Sequence, residues 1–195
     1  MQVVEFIIIC IFITFIAFYI KNNYYSEIEY VLSTIDERYY LVRSVDNKQD
    51  ASNLLAKLNK KLIKLVEHIH NMKDDTIVPK IDRNRLYYNF SPDNISEGTD
   101  ENNYTSYSVN KGEKIVFCLR SKSNPSELVK LNILTYVAIH ELAHLMTKEI
   151  GHPPVFWSNF KILLKEAIKL KIYKKVSFKD NPVDYCGIQI KSSVV

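Results

Sequence analysis

Cysteine is scarce in this 195-residue chain, and its placement encodes no site. Cys10, Cys118 and Cys186 are far apart, so neither a disulfide framework nor a Cys-x-x-Cys metal motif is written, and a reducing compartment fits best. An excess of one charge is also missing. Lys and Arg number 26 against 22 Asp and Glu, for a net charge of +4 spread along the chain, which does not call for a nucleic-acid partner. Internal repeats, low-complexity tracts and an additional zinc finger are absent as well. The first hydrophobic stretch has no basic segment before it. It is followed by no small-x-small cleavage site, since Ile16, Ala17, Phe18 and Tyr19 are mostly bulky, which argues against a cleaved secretory signal. Asn-x-Ser/Thr triplets at Asn89, Asn94 and Asn103 carry little weight in so asparagine-rich a chain.

Residues 3–20 are almost wholly apolar, interrupted by Glu5 and Thr14. As a helix they reach about 27 Å, close to a hydrocarbon core of about 30 Å. Residues 1–22 therefore read as an uncleaved membrane anchor and residues 23–195 as one domain. Glu5 before the segment and Lys21 after it lean toward a single-pass protein whose domain faces the cytoplasm.

Within the domain, Ile28, Tyr30 and Leu32 alternate with Glu27, Glu29 and Val31 as in a half-buried strand, residues 39–43 are β-prone, and Asp36-Glu37 turns between them. Residues 47–72 place Ala51, Leu55, Leu58, Leu62, Leu65 and Ile69 on one helical face. His68 and His70, two apart at its end, point to different faces and read as exposed side chains. A loop around Pro79, a short aromatic strand at 86–90 and a surface loop at 91–103 follow. Residues 104–109 and 114–119 flank a turn at Asn110-Lys111-Gly112 as a hairpin. Asn124, Pro125 and Glu127 have the spacing of a capped helix start, predicting a helix to about Lys148. Another helix is predicted over 155–173, with a lysine-rich outer face of the kind usually left to solvent, and a turn at 184–187 precedes a closing loop or strand.

The chemistry is concentrated in residues 139–157. Two of the five histidines, His140 and His144, are four residues apart and share a helix face, so both can hold one metal ion. Glu141 stays near that ion without needing to bind it, and can take the proton from a water attacking a carbonyl carbon. The motif lies in an apolar run that includes Ile133, Leu134, Val137, Leu142 and Leu145, so its charged groups face protein rather than bulk solvent. Gly151 and the Pro153-Pro154 pair can turn the chain and bring His152 back to the same ion. Glu149 and Glu166 are the alternative third ligands.

His-Glu-Leu-Ala-His followed by His-Pro-Pro-Val-Phe-Trp resembles the zincin metallopeptidases of the WLM and SprT-like group, over residues 114–164. The resemblance implies an α+β zincin-like fold, a small mixed sheet packed on long helices that include the metal helix. It implies zinc (Zn2+) held by His140, His144 and His152, and Glu141 as general base. It also places Ile115, Val116, Phe117, Cys118 and Leu119 at the sheet edge where an extended substrate pairs. The expected function is membrane-anchored, zinc-dependent endoproteolysis of protein or peptide substrates. The alternative is an inactive, membrane-tethered interaction domain with a structural zinc. A peptide deformylase would need a cysteine ligand, for which Cys118 is the poor candidate.

Overall fold

The structure is a computed structural model that describes residues 3–24, 27–99, 105–121, 124 and 126–195. The uniformly apolar N-terminal stretch forms helix α1 (Val3–Tyr24). Its window Val3–Ile20 is buried nowhere against the protein, and its length and composition suit a membrane crossing.

β1 (Ile28–Leu32) and β2 (Tyr39–Arg43) pair antiparallel, with Glu37 at φ 58° in the turn between them. The faces are the reverse of what alternation suggests. Tyr30 and Leu32 look outward, whereas Val31 packs on the core and Glu29 is held by Lys48 at 3.0 Å. That ion pair ties the strand to the start of the next helix.

Helix α2 (Lys48–His70) buries the predicted stripe, with Ala51, Leu55, Leu58, Leu62, Leu65 and Ile69 at spacings of four and three. Each buried leucine or isoleucine of this stripe contributes about 1.5–3 kcal/mol. The histidines at its end are not free, contrary to the exposed reading. His68 Nε2 lies 3.0 Å from Glu166 Oε2, and His70 stacks on Tyr87 at 4.0 Å.

The aromatic run read as a strand lies in helix α3 (Lys80–Asn89). Pro79 sets the entry, Leu86 is fully buried, and Arg83 donates to the Val78 carbonyl (3.2 Å) and the Asp75 carboxylate (2.6 Å). Packing thus overrides the β preference of Tyr87 and Tyr88. A strand also lies inside residues read as loop: β3 (Ile95–Glu97) is wholly buried. One apolar residue in three gives no strand signal. Its Glu97 is satisfied from afar, by the Arg43 N–H and the Arg120 guanidinium, each at 2.8 Å.

β4 (Ser106–Val109) and β5 (Lys114–Phe117) form the predicted hairpin; Tyr104 lies outside the described residues. The mixed sheet runs β1-β2-β3-β5-β4, parallel only at β2-β3 and β3-β5. β5 is therefore interior, paired with β3 on one side and β4 on the other. This corrects the expectation that Ile115, Val116, Phe117, Cys118 and Leu119 offer an open edge. Once β3 exists, β5 has no free side, and β4 is the edge strand. In the hairpin turn Gly112 has φ +116°, and a Cβ there would meet the Asn89 carbonyl oxygen at 2.0 Å. The turn is pressed onto α3, and only glycine fits.

The predicted helix start at Asn124 is likewise replaced. Val129 N–H donates to the Leu119 carbonyl at 2.9 Å, and Leu128 bridges Arg120, so this segment extends the β-structure. Helix α4 begins later, at Leu131, and ends at Met146 rather than Lys148. Helix α5 (Pro154–Lys169) packs on it. The chain closes with β6 (Val183–Tyr185) and β7 (Ile188–Ile190), joined through Cys186 (φ 52°) and Gly187 (φ 86°), a two-residue turn with both central φ values positive. Cys186 is bonded to Cys118 across a sequence separation of 68. This corrects the reading of unlinked cysteines: the chain order of the sheet, which spacing does not reveal, brings the end of β5 to the hairpin turn.

Candidate metal centre

The helical period puts His140 and His144 on one side of α4, with ring centroids 4.9 Å apart. After Met146 the chain extends at Thr147 (ψ 131°), turns at Gly151 (φ +80°) and enters α5 through Pro153 and Pro154. This course returns His152 to the helix. Its Nε2 lies 3.2 Å from Nε2 of His140 and 3.2 Å from Nε2 of His144. Among the described residues these three form the group of His, Cys, Asp or Glu whose ligand atoms converge, all within 4.8 Å.

Two nitrogens bound tetrahedrally to zinc at about 2.0–2.1 Å stand about 3.3 Å apart. The two spacings to His152 match, and all three ligand atoms lie within 4.8 Å of one another, so the residues fit zinc. Burial, reinforced by repulsion from His144 and His152, lowers the His140 pKa to about 3. Burial, with His152 and Lys111, lowers that of His144 to about 4. At neutral pH both rings are uncharged and keep the lone pair a metal needs. Phe156, the first aromatic of the Pro-Pro-Val-Phe-Trp run, packs against all three rings at 4.4–4.9 Å and holds them in place. Glu166, one alternative ligand, is engaged instead by His68 and Lys169. Glu149, the other, lies outside the converging group. Cys118 is held in the disulfide, which removes it as a deformylase-type ligand.

Glu141 is 5% exposed, and burial raises its pKa to about 7 against the opposing effect of a hydrogen bond from Ser108. The histidines and Glu141 open onto a cleft of about 440 Å³ bounded by Ser106, Tyr107 and Ser108 of β4, by Lys111 and by the 150–152 loop. The residues named beforehand at the edge, 115–119, do not line it. Ser106, Tyr107 and Ser108 do, because β4 is the outer strand that runs beside α4.

What secures the end of the metal helix has no local signature in the chain. Its last carbonyls lack partners within the helix. Lys111 Nζ donates to the carbonyls of His144 (3.1 Å), Thr147 (2.8 Å) and Glu149 (2.7 Å), while Asn89 serves Leu145 (3.1 Å) and Arg85 serves Met146 (2.8 Å). The hairpin turn thus ties α4 to the loop that carries His152. Lys111→Met should leave the part-buried carbonyls of His144 and Thr147 without this donor, at a cost of about 1 kcal/mol. We expect a lower melting temperature and zinc about tenfold easier to strip, measured by chelator competition; unchanged zinc retention would show that the clamp does not position His152.

The family model for the WLM domain matches residues 88–190, from the end of α3 through β7. The chain belongs to the WLM family. It is 31% identical to "Uncharacterized protein R325" of Acanthamoeba polyphaga mimivirus over 97% of this chain and 95% of that one. It is 34% identical to "Uncharacterized protein 136R" of Invertebrate iridescent virus 6 over 42% and 44%. The WLM fold is shown independently by the crystal structure of Wss1 from Saccharomyces cerevisiae, with a TM-score of 0.51 at 20% identity, covering 67% of this chain and 86% of that one. The His140, Glu141, His144 and His152 cluster lies inside the WLM match, whereas α1, β1, β2 and α2 precede it.

Proposed function

We propose that this WLM-family chain is a membrane-anchored, zinc-dependent endopeptidase. The observation that carries the reading is the convergence of His140, His144 and His152 at a cleft bounded by an edge strand, with Glu141 beside them. Held by the three histidines, zinc would polarise a substrate carbonyl and make water more acidic. Glu141 takes a proton from the attacking water and passes it to the leaving amine, a role its place beside the three histidines at the cleft allows. Ser108 orients the carboxylate through its hydrogen bond. β4, paired on one side only, receives an extended peptide by strand addition, the role first expected of residues 115–119. The competing structural-zinc reading needs a site closed by four protein ligands, and no fourth His, Cys, Asp or Glu joins the group among the described residues.

Full-length protein in detergent should cleave an unfolded substrate such as casein, lose the activity to a chelator and regain it with zinc. His152→Ala should sharply reduce zinc content. A zinc-loaded parent that cleaves no unfolded protein would overturn the peptidase reading, and undiminished zinc in His152→Ala would overturn the ligand assignment.

α1 anchors the protein, its apolar surface being about as long as a bilayer core is thick. The lean of Glu5 and Lys21 toward a cytoplasmic domain rests on one charge at each end. The Cys118–Cys186 bond is the stronger guide, because disulfides persist where thiols are not kept reduced, so we place the domain on an oxidising side. Alkaline carbonate should leave the chain in the membrane pellet, and protease added to sealed vesicles should show which side carries the domain. Release into the supernatant would argue against the anchor.

A further inference from the structure

A second, smaller cavity of about 170 Å³ adjoins the same His140 and Glu141. Its other walls include Tyr136 and Val137, one turn before His140 on α4, and Ile188 and Ile190 of β7. Tyr185 also borders it, but the hydroxyl is already used: it donates to the Cys118 carbonyl at 2.9 Å and lies 2.7 Å from the Ser106 hydroxyl. Away from the catalytic pair, the cavity therefore presents mostly apolar surface. A cavity of about 150 Å³ lined by aliphatic and aromatic groups accommodates a benzene-sized ligand. Ser106, His140 and Glu141 line both this cavity and the main cleft, so a peptide lying along β4 past Glu141 passes its mouth.

The wall from the C-terminal hairpin is held firmly. Its turn is bonded covalently to the end of β5, and Tyr185 is fixed at both of its hydroxyl contacts. Ile188 is half exposed at the cavity's edge, so its replacement does not disturb the core.

We infer that this cavity receives an apolar side chain, of leucine to phenylalanine size, flanking the bond to be cleaved, and that Ile188 and Ile190 set its size limit. The inference rests on the peptidase reading, and binding separates the two. A set of quenched-fluorescent peptides would carry Ala, Leu, Phe or Trp at each position flanking one central bond, and the full-length parent would be compared with Ile188→Trp, which fills the cavity, and Ile190→Ala, which enlarges it. In the parent, kcat/KM for Leu or Phe at one flanking position should exceed that for Ala by about tenfold to a hundredfold. Ile188→Trp should erase the preference, bringing kcat/KM for the Leu and Phe peptides down to that for the Ala peptide, while the protein retains its zinc and melting temperature. Ile190→Ala should extend acceptance to Trp, which keeps the test decisive if the first variant folds poorly. The same peptides bound to Glu141→Gln, read by fluorescence anisotropy, report the cavity without cleavage. Leu-over-Ala binding that Ile188→Trp abolishes, without cleavage by the parent, would keep the cavity and remove the peptidase. Cleavage with no preference at either flank, a preference unchanged in both variants, or no selective binding would overturn the cavity assignment.

Discussion

Glu141→Gln should lower the cleavage rate by about 10² to 10⁴ while the protein keeps its zinc and melts no earlier than the parent. Gln preserves side-chain volume and still accepts the Ser108 hydrogen bond, but it cannot take a proton from water. Burial raises the Glu141 pKa from 4.5 to about 7 in the folded protein, so the native state holds this proton more tightly than the unfolded chain does. The favourable contribution is full below pH 4.5 and is lost as pH rises through about 7, where a charge must be buried. In zinc-free protein, Glu141→Gln should therefore match the parent near pH 4.5 and melt higher than it above pH 7. His140→Ala and His144→Ala should behave oppositely, losing zinc and the stability it supplies. Zinc content, melting temperature and casein cleavage of the three variants distinguish a base from a ligand. A Glu141→Gln protein that cleaves as fast as the parent would refute the role given to this residue.

Replacing both Cys118 and Cys186 with serine should destabilise the protein by about 4 kcal/mol. The bond closes a loop with a sequence separation of 68, and the chain-entropy estimate for such a loop is of that order. For a chain of this size the melting temperature should fall by on the order of 10 °C. Parent protein in strong reductant should show the same fall, and the double variant should be insensitive to reductant. The loss also has a functional side, because the bond holds the hairpin carrying Ile188 and Ile190 beside the catalytic pair. Selectivity between Leu and Ala peptides should decline more than the Ala rate itself. A double variant that melts with the parent would mean that packing of Tyr185 and the hairpin strands, not the covalent bond, secures this corner.

Long-range partners override local preference at several places in the chain. The aromatic run at 86–90 has β-forming side chains, yet Leu86 and Arg83 find buried partners only if the segment is helical. The capped start at Asn124 is locally sound, but residues 127–129 gain backbone partners from 119–121 instead. Ile95–Glu97 looks like loop because two of its three residues are polar, and Arg43 and Arg120 make their burial possible. Inserting that strand displaced residues 115–119 from the sheet edge and handed the edge to Ser106–Val109.

His140, Glu141 and His144 were legible because a helix of 3.6 residues per turn sets which neighbours share a face, whatever the rest of the chain does. The α2 stripe and the membrane-length apolar run were legible for the same reason: periodicity and length are local quantities. Cys118 meeting Cys186, Lys111 reaching the end of α4, β4 taking the edge, and Ile188 walling a cavity beside His140 carry no local signal. Each depends on closing a long loop, whose entropic cost is recovered only when the sheet and helices pack together, so these features follow from the assembled chain rather than from any one stretch of it.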